Sequence, residues 1–91
     1  MKHKVKILPK YLQAVLKGEK TFEIRKNDRG YKVGDIIELR EWDLERNRCT
    51  GLCVRKKITY VLEDFEGIKE GFCILGLGGE DNEDQEHSGD L

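Results

Sequence analysis

The sequence predicts a small α+β domain in which an antiparallel sheet of five strands curls toward a barrel and one helix covers an open side. Five short segments have the composition or alternation of strands, one segment has helical spacing, and the two kinds do not alternate as βαβ units. A length of 91 residues suits one domain with a modest core. Closure of the sheet would also remove exposed strand edges.

The first two elements are predicted to be a strand and a helix. Residues 3–7 alternate weakly between polar and apolar types, which indicates a strand. Leu8-Pro9 then opens a helix, because a proline in the first turn costs no hydrogen bond. Apolar residues follow at helical spacing, namely Tyr11, Leu12, Val15 and Leu16. Gly18 ends the helix, since glycine readily takes the left-handed conformation found there.

The next strand, at about residues 20–26, is densely charged. Its alternation puts Phe22 and Ile24 on one face and three polar residues, Thr21, Glu23 and Arg25, on the other. We expect the apolar pair to face the core. The polar face is then a candidate binding surface.

Three further strands are predicted in the rest of the chain. A loop at 27–35 leads to a strand at 36–42, with Ile37 and Leu39 on one side. A polar loop at about 43–51 precedes a strand at 54–62, in which Ile58, Tyr60 and Leu62 are in phase. An acidic loop at 63–71 leads to the last strand, 72–77, which is nearly all apolar and therefore central or barrel-closing.

A hairpin between the second and third strands would create a polar rim. If residue 22 lies beside 39 and residue 24 beside 37, Lys20 lies beside Glu41, and both point inward. Inward charges must be paired or lie at a wet opening, so this pair would mark the mouth of a cavity. The loop length does not fix this register, and an exposed ion pair between the two strands is the alternative.

Charge divides the chain into a body and a tail. Residues 80–91 contain six acidic groups and no Lys or Arg, which leaves 17 basic and 12 acidic groups, a net charge of +5, in the remainder. We predict a domain over 1–78 and a disordered acidic tail over 79–91. A mildly basic body suits a polyanionic partner. The tail is either a solubilising terminus or an internal competitor for the basic face.

Other features exclude several classes of protein. The chain has neither a long apolar run nor a signal-peptide core, so we expect a soluble, cytoplasmic protein with no membrane partner. We also expect a monomer. Cys49, Cys53 and Cys73 are odd in number and poorly spaced for zinc, which indicates free thiols. We therefore expect no metal site and no cofactor.

Three motifs occur in a recognisable order. These are Leu8-Pro9, the run Lys-Thr-Phe-Glu-Ile-Arg-Lys-Asn-Asp-Arg at 20–29, and Asp-Phe-Glu-Gly at 64–67. With Val33-Gly34-Asp35-Ile36 and a strand ending at Trp42, they resemble the ASCH domains of the PUA-like superfamily of RNA-binding folds. The resemblance is closest to a group of small ASCH-like proteins and covers nearly all of residues 4–77.

The resemblance implies a β-barrel of about five to six mostly antiparallel strands with one or two flanking helices. It also implies a cleft at the barrel mouth that receives RNA or a nucleotide. The cleft motif Gly-x-Lys-x-x-Glu-x-Arg corresponds to Gly18, Lys20, Glu23 and Arg25. Lys20 would contact phosphate, Arg25 phosphate or a base edge, and Glu23 an amine or sugar hydroxyl.

Residues beyond the motif would extend this site. Lys26, Asn27 and Arg29 would form a positive rim, and Glu41 would stand opposite Lys20. Trp42 and Tyr31 offer faces on which a base could stack, although both residue types also serve in ordinary packing.

Hydrolysis of a modified nucleoside or of RNA is the alternative function. One ASCH branch hydrolyses acetylated cytidine with a threonine, a lysine and a glutamate, and the resemblance places Glu23 where that threonine stands. Thr21 cannot replace it, because its side chain points to the other face from Lys20. If the chain is an enzyme, Lys20, Glu23 and Glu41 are the candidate catalytic groups. A protein-interaction module is a third hypothesis.

Overall fold

The structure, a computed structural model, describes residues 1–80. Its elements, in chain order, are β1 (Lys2–Ile7), α1 (Pro9–Leu16), β2 (Phe22–Lys26), β3 (Ile36–Asp43), β4 (Arg48–Leu62) and β5 (Phe72–Glu80). The five strands and the helix predicted from sequence are all present. The predicted tail at 79–91 lies, beyond Glu80, outside the described residues.

The five strands form one sheet in the order β1-β3-β4-β5-β2. β1 and β3 are parallel, and the other three neighbouring pairs are antiparallel. The sheet curves into a half-barrel whose edges are β1 and β2, and α1 connects these two edge strands. A barrel-like α+β fold is therefore confirmed. In the described part of the chain, no helix has the length and apolar character needed to cross a membrane.

The core lies between the sheet and α1. Leu12 and Val15 of α1 are buried there, against residues from four of the strands. The strand residues in this core are Val5, Ile7, Ile37, Leu39, Ile58, Cys73 and Leu75, and Tyr31 joins them from a loop. The predicted inward direction of Ile37 and Leu39 is confirmed.

The predicted orientation of β2 is wrong. Phe22 and Ile24 are 43% and 55% exposed, whereas Glu23 is only 6% exposed. Glu23 lies opposite Leu75, and Arg25 opposite Cys73, so the charged residues share the inner face with two core residues of β5. The alternation of apolar and charged residues along β2 was predicted correctly. The prediction was wrong about direction, because the apolar face points outward and the charged face points inward. Charge faces inward here because each charged group has a partner, as described below.

The predicted hairpin between residues 22–24 and 37–39 is also wrong. β2 pairs with β5, while β3 lies between β1 and β4. Lys20 and Glu41 are therefore not cross-strand neighbours. β5 separates β2 from the rest of the sheet, which confirms that the apolar strand is central rather than an edge.

A short turn and three register shifts change the predicted course of β4. The loop predicted at 43–51 is a short turn followed by strand, because the Asp43 carboxylate accepts hydrogen bonds from the amides of Glu45 and Arg46. Gly51, at φ +103°, lies where the register with β3 shifts. Against β5 the register shifts twice, between Lys56 and Ile58 and between Ile58 and Tyr60, and Ile58 is buried while Tyr60 is 62% exposed.

Candidate functional site

Lys20 is positioned by the end of α1. Gly18 has φ +79°, the left-handed conformation predicted for it, and lets the chain reverse after the helix. The backbone amides of Glu19 and Lys20 both donate to the carbonyl oxygen of Ala14, at 2.9 and 3.0 Å. This places Lys20 just before β2, at the gap between the two edge strands.

Glu23 is the centre of a charged cluster formed by Lys20, Glu23 and Arg25. The Lys20 ammonium lies 2.5 Å from Glu23 Oε1. Arg25 Nε and Nη2 lie 3.0 and 2.9 Å from Glu23 Oε2. The sequence motif thus brings its three charged residues together, and both oxygens of the buried carboxylate are satisfied by cations.

Arg25 also connects the two edges of the half-barrel. Its Nη2 donates to the backbone carbonyl oxygen of Lys6 on β1. One guanidinium therefore contacts a carboxylate on its own strand and the backbone of the opposite edge strand. The planar fork of arginine suits such a double contact.

Lys20 retains a donor that could reach a ligand. One of its three N–H groups donates to the carbonyl oxygen of Phe22 at 2.7 Å and a second to Glu23. The side chain is 16% exposed, so the ammonium is recessed but reachable from solvent. The cluster has a net charge of +1, and in it Glu23 holds the two cations in place.

A cavity of about 510 Å³ opens beside this cluster. It is lined by Tyr11, Glu19, Lys20, Phe22, Glu23 and Ile24. Its volume falls within the range of about 300 to 1,000 Å³ that is typical of small-molecule sites. Arg25 is not part of the lining, so it acts on the cavity through Glu23.

Two aromatic rings at this cavity were not identified from the sequence. Tyr11 on α1 is 42% exposed and Phe22 on β2 is 43% exposed. The Lys20 ammonium lies 5.8 Å from the ring centroid of Tyr11 and 5.1 Å from that of Phe22. The alternation of β2 predicted that Phe22 faces the core, and Tyr11 was identified only as one of the residues at helical spacing in α1. The signal that could have identified Phe22 is the paired charge pattern of Lys20, Glu23 and Arg25, which favours a buried polar face.

Trp42 and Glu41 were predicted to belong to the site, but both lie away from the cavity beside Lys20. The Lys6 ammonium sits 4.0 Å from the centroid of the Trp42 ring, and Trp42 borders a separate cavity with Leu8 and Leu44. Glu41 Oε1 accepts a hydrogen bond from the Thr50 hydroxyl at 2.7 Å. Neither residue lines the cavity beside Lys20.

The predicted positive rim is exposed but does not line the cavity either. Lys26, Asn27 and Arg29 all have exposed side chains at or after the end of β2. The Asn27 amide donates to Glu63 Oε1 at 2.5 Å, which ties this end of β2 to the loop after β4. These residues could contact only a ligand that extends along β2 beyond the cavity.

Tyr31 is a core residue, because its exposure is only 7%. Its ring packs against His3 with centroids 4.7 Å apart. Burial raises the pKa of Tyr31 above its usual value, and the charges of Arg25 and Arg29 act in the opposite direction. Stacking of a base on this residue is therefore not supported.

His3 is buried beside Tyr31, although its place near the start of the chain suggested no role. His3 Nε2 lies 2.8 Å from Asp35 Oδ2, and the Lys32 amide donates to the same carboxylate at 3.1 Å. The hydrogen bond with His3 is the largest of the effects that lower the pKa of Asp35. This pair fixes the start of β3 against β1 and is remote from the cavity lining.

The described residues show no metal centre, since residues 1–80 contain no group of three or more His, Cys, Asp or Glu side chains suited to hold an ion. Cys49 and Cys53 are exposed free thiols, and Cys73 is a buried one. Burial raises the pKa of the Cys73 thiol.

Comparisons with known proteins place the chain in a family. Residues 2–77 match the family described as a domain of unknown function, DUF3850. The chain is 43% identical over 78 residues to a protein of Escherichia phage P2 described as an uncharacterized 12.9 kDa protein in the GpA 3′ region. That similarity covers 86% of this chain and 70% of the phage protein. By both comparisons, the chain belongs to the DUF3850 family.

Proposed function

We propose that the chain is an ASCH-like, PUA-related domain that binds RNA or a nucleotide at the cavity beside Lys20. The observation that carries this proposal is the ion-paired cluster of Lys20, Glu23 and Arg25, of which Lys20 and Glu23 line a cavity of about 510 Å³. These are the charged residues of the motif Gly-x-Lys-x-x-Glu-x-Arg. The half-barrel with a helix joining its edges is also the kind of scaffold that the resemblance leads us to expect.

The chemistry of the cluster suits an anionic or polar ligand. Lys20 has a donor left for a phosphate oxygen or a base edge, and its position is fixed by Glu23 and by the Phe22 carbonyl. A preordered ammonium loses little side-chain entropy on binding. The net charge of +5 over residues 1–79 would add a long-range attraction for polyanions.

Binding is favoured over hydrolysis by the state of Glu23. A general base needs a free oxygen close to the proton it removes, but both Glu23 oxygens are already held by cations. Thr21 is exposed and does not line the cavity, and Glu41 is engaged by Thr50. Of the three candidate catalytic groups, only Lys20 and Glu23 meet at the cavity, and there they are paired with each other.

The proposal is tested by the affinity for short single-stranded RNA and for nucleotides, measured by fluorescence anisotropy and by amide chemical shifts. We expect the wild-type chain to bind at low salt and its affinity to fall as salt rises. Lys20→Ala should weaken binding by about tenfold or more, because it removes a charge-assisted contact.

Lys57→Ala is the matched control, since Lys57 is an exposed lysine on β4 that does not line the cavity. It should change affinity by no more than about twofold. Thermal unfolding of both variants shows whether they remain folded, so that a loss of binding is not confused with a loss of structure. An unperturbed spectrum across a panel of RNAs and nucleotides would overturn the proposed function.

A further inference from the structure

We infer that the cavity takes an unpaired nucleobase, which stacks on Phe22 and Tyr11 while Lys20 binds its polar edge or a neighbouring phosphate. This inference rests on the proposed function and specifies the ligand: single-stranded RNA or a free nucleotide, and not a duplex. Three features of the described residues support it, namely the exposure of the two rings, the location of the Lys20 ammonium beside both of them, and the polarity of the site.

The first feature is the exposure of two aromatic rings from different elements at one cavity. Phe22 points away from the core because Glu23 takes the inward position on β2, and Tyr11 comes from the first turns of α1. With Ile24 they form an apolar wall next to a charged cluster. An aromatic face beside a fixed cation is the arrangement on which bases stack in proteins that bind single strands.

The second feature is the location of the Lys20 ammonium, 5.8 and 5.1 Å from the two ring centroids. Aromatic rings that surround a vacant centre attract cationic ligands such as methylated lysine. Here the protein's own cation already lies beside both rings, and a second cation would be repelled. A flat, neutral π system with polar edges can stack on the rings without being repelled by Lys20.

The third feature is the shape and polarity of the site. The cavity is recessed between α1 and β2, and it offers Lys20 as a donor and Glu19 as an acceptor at its rim. A base in a duplex has both faces stacked and its pairing edge occupied, so it cannot enter such a recess. An unpaired base presents a free face to the rings and free edge groups to the lysine and the carboxylate.

The test uses a short single-stranded RNA that carries one 2-aminopurine, whose fluorescence is quenched on stacking. We expect the wild-type chain to quench the probe and to bind the single strand at least about tenfold more tightly than the same sequence in a duplex. Phe22→Leu and Tyr11→Leu should each weaken binding by at least about fivefold and reduce the quenching, because leucine keeps an apolar side chain but removes the π face.

Two exposed aromatic residues outside the cavity provide matched controls. Phe65 is 58% exposed and Tyr60 is 62% exposed. Phe65→Leu and Tyr60→Leu should leave both affinity and quenching unchanged. These two controls make the same aromatic-to-leucine change at exposed positions outside the cavity.

The outcomes separate the inference from the proposed function. If the chain binds RNA but Phe22→Leu and Tyr11→Leu behave like the controls, or if duplex binds as well as single strand, the base-stacking site is refuted while nucleic-acid binding stands. If the wild-type chain binds no RNA and no nucleotide, both fail. If Phe22→Leu and Tyr11→Leu lower the affinity but leave the quenching unchanged, stacking is also refuted. That result would mean that the two rings support the structure of the site and do not contact the base.

Discussion

At the scale of single residues, Glu23 explains most of what is unusual in this molecule. A buried carboxylate is costly unless it is paired and hydrogen-bonded. Glu23 meets this condition through residues close to it in sequence, namely Lys20 three residues before it and Arg25 two residues after it. The pairing lets the charged face of β2 turn inward, and this in turn leaves Phe22 and Ile24 at the surface of the cavity.

Asp35 gives a prediction for the dependence of stability on pH. Its pKa is lowered in the folded chain, first of all by the hydrogen bond with His3. A carboxyl whose pKa is lower in the folded than in the unfolded state stabilises the fold above its unfolded pKa, which is about 3.9. That stabilisation is lost as pH falls through the folded value. We therefore expect the free energy of unfolding to fall as the medium is acidified below about pH 4.

Urea unfolding at a series of pH values between neutrality and strong acid checks this expectation. In Asp35→Asn, the decrease of unfolding free energy with acid should be shallower than in the wild type. Asp64→Asn is the control, because Asp64 is exposed and its left-handed backbone, φ +55°, also suits asparagine. Equal pH profiles for Asp35→Asn and the wild type would contradict the role assigned to Asp35.

At the scale of elements, local patterns predicted the type of each segment but not its neighbours. The proline and glycine at the two ends of α1 fixed its limits, since each acts within its own turn. The pairing of β1 with β3 and of β2 with β5 depends on contacts between distant residues, which no local pattern encodes. The charged residues of the site were predicted, whereas Phe22 was not, because its direction depends on the ion pairs of the opposite face.

Gly78 on β5 illustrates how closely two of these elements pack. A Cβ at this position would lie 2.4 Å from the Cγ2 methyl of Thr59 on β4, which is closer than carbon atoms tolerate. We expect Gly78→Ala to lower the free energy of unfolding by about 1 to 2 kcal/mol, the usual cost of overpacking. Urea unfolding measures this change.

A double-mutant cycle tests the cause of this effect. Thr59→Ala removes the methyl, so the double variant should recover most of the stability lost in Gly78→Ala, with a coupling energy of about 0.5 to 1 kcal/mol or more. Gly67→Ala is the control, because its Cβ would meet the Phe65 ring at 3.8 Å, an ordinary contact. Additive effects of the two substitutions would show that the methyl is not the obstacle.

At the scale of the whole molecule, the two edge strands are joined by a side chain instead of a strand ladder. Arg25 reaches from β2 to the Lys6 carbonyl on β1, while α1 connects the same two strands along the chain. We expect Arg25→Lys to keep the charge beside Glu23 but to lose the fork that makes both contacts. The free energy of unfolding should fall by about 1.5 to 3 kcal/mol, the net contribution of a hydrogen bond to a charged group.

Hydrogen exchange locates this effect. Backbone amides of β1 and α1 should exchange faster in Arg25→Lys than in the wild type, since the gap between the edges would open more often. Arg29→Lys, which changes an exposed arginine in the loop after β2, should leave the exchange unchanged. Uniformly faster exchange throughout the sheet would instead indicate global destabilisation and contradict a local closure.

The pairing of β2 with β5 has a consequence for how the protein is made. Phe22 lies opposite Gly76, so β2, which carries Glu23 and Arg25, cannot pair until β5 has been translated. Until β5 leaves the ribosome exit tunnel, a nascent chain can assemble β1, α1 and β3 but has no ladder on which to hold β2. The cavity wall that includes Phe22, Glu23 and Ile24 is therefore completed only after β5 has been translated.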